Sequence, residues 1–152
     1  MFPYKYYRYI DLPKLPESIL RNINRNFDEY EKKDNVQNPI SYQVYTWSDS
    51  FNEEVNQWCQ ENICSSMYWG FQIIKGDIPI HRDMNTLTKF TYLLDSGGPE
   101  VFTEWYDEDQ STLIDSVVLE THRWHILKVD AFHSVRGVQP GMKRFSITGR
   151  IF

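Results

Sequence analysis

Long apolar runs are missing from this chain: no stretch approaches the roughly 20 residues that would cross a bilayer as a helix. The opening segment MFPYKYYRYIDLP has no apolar core of the kind found in a secretory signal. Both absences lead to the expectation of a protein that stays in the cytoplasm without membrane contact. Cysteine is scarce. Only Cys59 and Cys64 occur, and the four residues between them fit neither a C-x-x-C redox pair nor a four-ligand zinc site, so reduced structural thiols are expected. An excess of positive charge is lacking as well. The 16 Lys and Arg residues stand against 21 Asp and Glu residues, a net charge of −5, and the basic residues are scattered rather than gathered into a stripe. The footprint of a phosphate-backbone binder is therefore missing, and nucleic acid is disfavoured as a partner. Internal repeats, low-complexity tracts and linkers are also absent, which leaves a single domain over residues 1–152.

The chain does have the material for a core, with 41% hydrophobic and 16% aromatic residues. Between Glu17 and Lys33 the residues Ile19, Leu20, Ile23, Phe27 and Tyr30 recur at three- and four-residue spacing, the pattern of an amphipathic helix. Ser50-Phe51-Asn52-Glu53 has the form of a capping box, and Val55, Trp58, Cys59 and Ile63 follow on one helical face. From Tyr68 the period shortens. Strands are predicted at Tyr68 to Lys75, Ile78 to Asp83, Thr88 to Leu94, Glu100 to Tyr106, Leu113 to Leu119, Trp124 to Val129, Phe132 to Val138 and Arg144 to Ile151. Ser96-Gly97-Gly98-Pro99 and Gln139-Pro140-Gly141 punctuate them as turns. The expectation is a mainly β protein, an antiparallel sandwich or barrel, with a helical support region (1–66) covering one face of a β core (67–152).

Chemistry concentrates in that core. In PIHRDMN, residues two apart in an extended chain face the same way, so His81 and Asp83 can converge on one ion while Arg82 turns aside. Among the other histidines, His122 lies in a predicted turn and His125 inside a strand, where loop and core roles are the ordinary ones. His133 opens a strand about fifty residues after Asp83. Two imidazoles and a carboxylate are the facial triad of non-haem Fe(II) oxygenases, which leaves the opposite positions open. In the last strand, alternation puts Arg144, Ser146, Thr148 and Arg150 on one side. A guanidinium with a hydroxyl two residues on makes a clamp for a carboxylate.

The order H-x-D, His, then R-x-S resembles the 2-oxoglutarate and Fe(II)-dependent dioxygenases over Tyr68 to Phe152. Gly97-Gly98-Pro99-Glu100-Val101-Phe102 is similar to the glycine-rich segment of their prolyl-hydroxylase-like members. The resemblance implies a double-stranded β-helix, the cupin-like jelly roll, packed against helices. It implies His81, Asp83 and His133 as iron ligands, with Arg144 and Ser146 holding the distal carboxylate of 2-oxoglutarate and O2 as the other cosubstrate. Many relatives carry their basic residue ten positions after the distal His, which is Lys143 here; the pairing with Ser146 points to Arg144. Asn85-Thr86-Leu87-Thr88-Lys89 is similar to the aspartyl/asparaginyl hydroxylases and implies Lys89 as a second cosubstrate contact. The activity implied is hydroxylation of a peptidyl or free amino acid, with release of succinate and CO2. Trp69, Tyr92, Trp105 and Tyr106 are candidates for the substrate mouth, with core packing as the competing role. Two other functions compete: a catalytically silent jelly-roll binding domain, and a cupin-like metal protein that does not use 2-oxoglutarate. Oligomeric state leaves no mark in the sequence.

Overall fold

A computed structural model of the chain describes residues 6–25, 45–48 and 53–150. Ten strands and two helices occur among them: β1 (Tyr7–Tyr9), α1 (Glu17–Arg25), β2 (Tyr45–Ser48), α2 (Glu53–Asn62), β3 (Tyr68–Ile74), β4 (Ile78–His81), β5 (Thr88–Ser96), β6 (Phe102–Tyr106), β7 (Leu113–Val118), β8 (Trp124–Lys128), β9 (His133–Arg136) and β10 (Arg144–Arg150). No helix among the described residues is long and apolar enough to cross a membrane.

The eight strands expected from Tyr68 onward are all present, each trimmed or extended by a few residues, and Ile151 lies outside the described residues. They form two antiparallel sheets, one ordered β1-β8-β5-β10-β3-β2 and the other β4-β9-β6-β7. The sheets face each other as a jelly-roll-like sandwich that does not close into a barrel. Two strands, β1 and β2, arise in the region expected to be helical, and each extends an edge of the larger sheet by pairing with β8 and β3. They are three and four residues long, and β1 is held by backbone bonds such as Ile10 N–H to the Trp124 carbonyl at 3.1 Å.

Both faces of the larger sheet are covered, for different reasons. On β10, Phe145 and Ile147 face the helices, where they join Trp69, Phe71, Ile73 and Tyr92 against Ile19 and Ile23 of α1 and Val55 and Cys59 of α2. The helix faces predicted from spacing are the ones buried; Phe27, Tyr30 and the capping residues Ser50 to Asn52 lie outside the described residues. Gly149 shares this outer face, and a Cβ there would stand 2.6 Å from the Trp69 ring. The indole fills the space, so the strand carries no side chain at that point.

The inner face of the same sheet is polar. Lys89, Thr91, His125, Arg144, Ser146 and Thr148 are all buried. Burying so many polar groups costs stability unless they are bonded or serve a ligand. They turn toward the space between the sheets, where Leu93, Trp105, Leu127 and Val129 form a smaller apolar cluster.

Candidate metal centre

His81 ends β4 and His133 begins β9, and the two are paired directly across the smaller sheet with ring centroids 4.4 Å apart. Asp83 lies two residues past β4, held there by its backbone N–H on the Val129 carbonyl at 2.8 Å. One ligand atom from each of the three side chains lies within 4.8 Å of the others. Each histidine uses the same local device. His81 Nδ1 is 2.8 Å from the Pro79 carbonyl and His133 Nδ1 is 2.8 Å from the Ala131 carbonyl. A carbonyl only accepts, so Nδ1 carries the proton and the lone pair sits on Nε2. Both Nε2 atoms are 3.5 Å from Asp83 Oδ1. Donors bound at about 2.1 Å and at right angles would stand about 3 Å apart, so the donor set fits a divalent transition metal after a small contraction.

The electrostatics favour the ligand forms. Burial, reinforced by the neighbouring His81, pushes the His133 imidazole down to about 4, so it is neutral near pH 7. Burial works against the Asp83 carboxylate, but the His81 ring, the Lys89 ammonium and the His133 ring more than offset it and hold its carboxyl well below the usual range. Lys89 Nζ is 2.5 Å from Asp83 Oδ2, leaving Oδ1 turned to the histidines.

A cavity of about 260 Å³ opens over the cluster, walled by His81, Asp83, His133, Lys89, Thr103, Trp105 and Arg144 among others. Arg144 is 5% exposed and its Nη1 donates to Thr103 Oγ1 at 2.8 Å. Burial lowers its pKa to about 10, which keeps it a cation at neutral pH. No carboxylate contacts it among the described residues. Its partner in the clamp expected from sequence, Ser146, is buried with its hydroxyl 3.5 Å from that of Thr148, and it is not on the cavity wall. Lys143 is half-buried before β10 and is also off the wall.

Of the four aromatics considered for the mouth, Trp105 alone reaches the cavity. Trp69 and Tyr92 pack under the helices, while Tyr106 lies on the opposite face of β6, where Ser134 Oγ donates to its hydroxyl at 3.2 Å. His122 is exposed in a turn and His125 is fully buried, the roles expected of them. Thr103, Gln72 and Arg150 line the cavity without having been singled out as site residues. The alternation that exposed Arg144 also placed Arg150 on its side, and that was the available signal.

The sequence matches no protein-family model and no curated protein sequence. Solved structures do match. EvdMO1 aligns with a TM-score of 0.60 at 13% identity over 97% of this chain and 47% of its own. A Pseudomonas putida prolyl-4-hydroxylase aligns at 0.57 and 13% identity over 95% of this chain and 90% of its own. The chain has a cupin-like jelly-roll fold. It spans about half the length of EvdMO1. Vicilin from hazelnut (Corylus avellana) also aligns, at 0.50 and 13% identity over 90% of this chain and 36% of its own. One architecture thus serves proteins named as a hydroxylase and as a vicilin, so function must be argued from the site.

Proposed function

We propose that this chain is a 2-oxoglutarate- and Fe(II)-dependent dioxygenase that hydroxylates a free or peptidyl amino acid, with succinate and CO2 as coproducts. The observation that carries the proposal is the convergence of His81, Asp83 and His133, both imidazoles locked through Nδ1, in a cavity whose wall also holds a buried arginine. Iron bound by those three side chains would supply the activation of O2. The protein's own residues have the remaining tasks. His81 and His133 present Nε2 lone pairs, and Lys89 keeps Asp83 ionised and aims one of its oxygens at them. Arg144 binds the distal carboxylate of 2-oxoglutarate, and Thr103 holds the guanidinium in place. Val135, Ile78 and Trp105 exclude water from the walls between them. Lys89 serves Asp83 in this arrangement rather than the cosubstrate.

The prolyl-4-hydroxylase likeness supports the proposal at the level of fold. One observation favours a second reading, a cupin-like metal protein that does not use 2-oxoglutarate: only the arginine of the R-x-S pair reaches the wall. Anaerobic titration with Fe(II) and then 2-oxoglutarate separates the two. The proposal expects a weak visible charge-transfer band near roughly 500 nm that disappears in His133→Ala. Iron binding without that band would move the second reading ahead, and no metal binding would leave a silent jelly-roll domain.

A further inference from the structure

The wall of the metal cavity is largely apolar, with Ile74, Ile78, Trp105, Leu127, Val129 and Val135 on it, and the apolar lining continues onto the rim. Asp83 is followed there by Met84-Asn85-Thr86-Leu87, a loop fastened to Val129 at both ends. The Asp83 N–H donates to the Val129 carbonyl at 2.8 Å, and the Val129 N–H donates to the Leu87 carbonyl at 3.0 Å. Between these bonds Thr86 is buried and Asn85 takes φ +60°, a left-handed conformation that asparagine tolerates better than most residues. The loop is thus held in one shape. That shape exposes both of its large apolar side chains, Met84 at 78% and Leu87 at 70%.

Single exposed apolar residues are ordinary on a protein surface, but this pair is continuous with a site, since Met84 belongs to the cavity wall as well as to the rim. The cavity is small. At about 260 Å³ it falls below the roughly 300 Å³ from which sites that enclose a whole ligand begin, and it has 2-oxoglutarate to accommodate as well. A substrate therefore enters in part, and the remainder lies across the rim. Gln72 and Thr91 on the wall offer an amide and a hydroxyl, neutral groups that pair with peptide amides and have no use for a hydrocarbon chain. Lys89 is engaged by Asp83, and Arg82 lies over the Phe132 ring at 4.2 Å with Glu108 at 3.8 Å.

We propose that the substrate is a peptidyl residue with an apolar neighbour in its own chain, and that Met84 and Leu87 are the specificity-determining contact for that neighbour. The reacting side chain enters the cavity, and the adjacent apolar side chain covers the rim. A free amino acid has no second side chain to lay there. This inference rests on the dioxygenase reading and narrows its substrate class.

The test uses protein loaded with Mn(II), whose uptake is followed by loss of the free-ion EPR signal, and saturated with 2-oxoglutarate. The probes are N-acetyl-alanyl-leucyl-alaninamide and its asparaginyl counterpart, in which a polar amide replaces the branched methyl groups at nearly the same size. Paramagnetic relaxation of the acetyl methyl protons, common to both, reports binding. The leucyl peptide is expected to bind at least about tenfold more tightly, the worth of covering one leucine side chain, and free leucine to bind more weakly than it. Met84→Gln and Leu87→Asn should each bring the leucyl peptide toward the asparaginyl affinity while leaving the asparaginyl peptide unchanged; thermal unfolding and Mn(II) uptake check that both variants fold. Equal affinity of the two peptides, binding of neither, or an unchanged preference in both variants would overturn the proposal. So would free leucine binding as tightly as the leucyl peptide. Self-association of the protein that Leu87→Asn abolishes would assign the rim to a second copy instead. Failure to take up Mn(II) or 2-oxoglutarate is a different result, and it would remove the dioxygenase reading itself.

Discussion

Asp83 works in two directions at once, since one oxygen faces the paired histidines and the other holds the buried ammonium of Lys89. Removing a partner from a buried ion pair strands the other charge, at a cost of about 3–5 kcal/mol. Asp83→Ala is therefore expected to lose both metal affinity and stability, whereas Asp83→Ala combined with Lys89→Met should regain most of the stability and none of the metal. Urea denaturation and metal titration on the two variants check this; a single variant as stable as wild type would show that the pair contributes little. The neighbouring choice between Arg144 and Lys143 is also a residue-scale question. Arg144→Ala should raise the 2-oxoglutarate requirement at least about tenfold, the worth of a charge-assisted hydrogen bond, and Lys143→Ala should leave it nearly unchanged because Lys143 is off the cavity wall. The reverse ranking in a succinate-formation assay would reassign the clamp.

At the scale of elements, the turn between β5 and β6 sets where β10 begins. Gly97 has φ +82°, its N–H donates to Asp95 Oδ1 at 2.9 Å, and its carbonyl accepts from the Gln139 N–H at 3.0 Å. A Cβ on Gly97 would lie 2.9 Å from the Arg144 nitrogen. Gly97→Ala is thus expected to cost about 1–3 kcal/mol and to weaken 2-oxoglutarate binding in the same direction as Arg144→Ala. Thermal unfolding and the charge-transfer titration would show whether the two losses occur together. The strands themselves were legible because alternation and turn residues persist over five to nine residues, as in β3, β5 and β10. β1 and β2 were not; they lie in the region expected to be helical, and each is added to an edge of the larger sheet, β1 on β8 and β2 on β3.

For the molecule as a whole, the polar interior makes stability depend on pH. Burial holds His125 at about 4, below the ordinary 6.5, so the unfolded chain takes up its proton first as pH falls. Its contribution is complete above about 6.5 and is lost as pH drops toward 4. Between pH 7 and pH 5 the metal-free wild type should lose about 2 kcal/mol more than His125→Gln, read from denaturation midpoints at both pH values. Equal losses would mean that His125 is solvated.

The sequence by itself determined the ingredients and their order: the H-x-D pair, the later histidine, the alternating last strand and the helices with one apolar face. These are local patterns, set by the two-residue period of strands and the 3.6-residue period of helices. Only the tertiary structure decided which of those residues meet. Strand pairing within the smaller sheet brings His133 opposite His81, and the backbone bond from Asp83 to Val129 turns the carboxylate toward both. The same packing keeps Ser146 off the cavity wall and puts Lys89 on Asp83. Such contacts join residues far apart in the chain, and a one-dimensional pattern carries no distance between them.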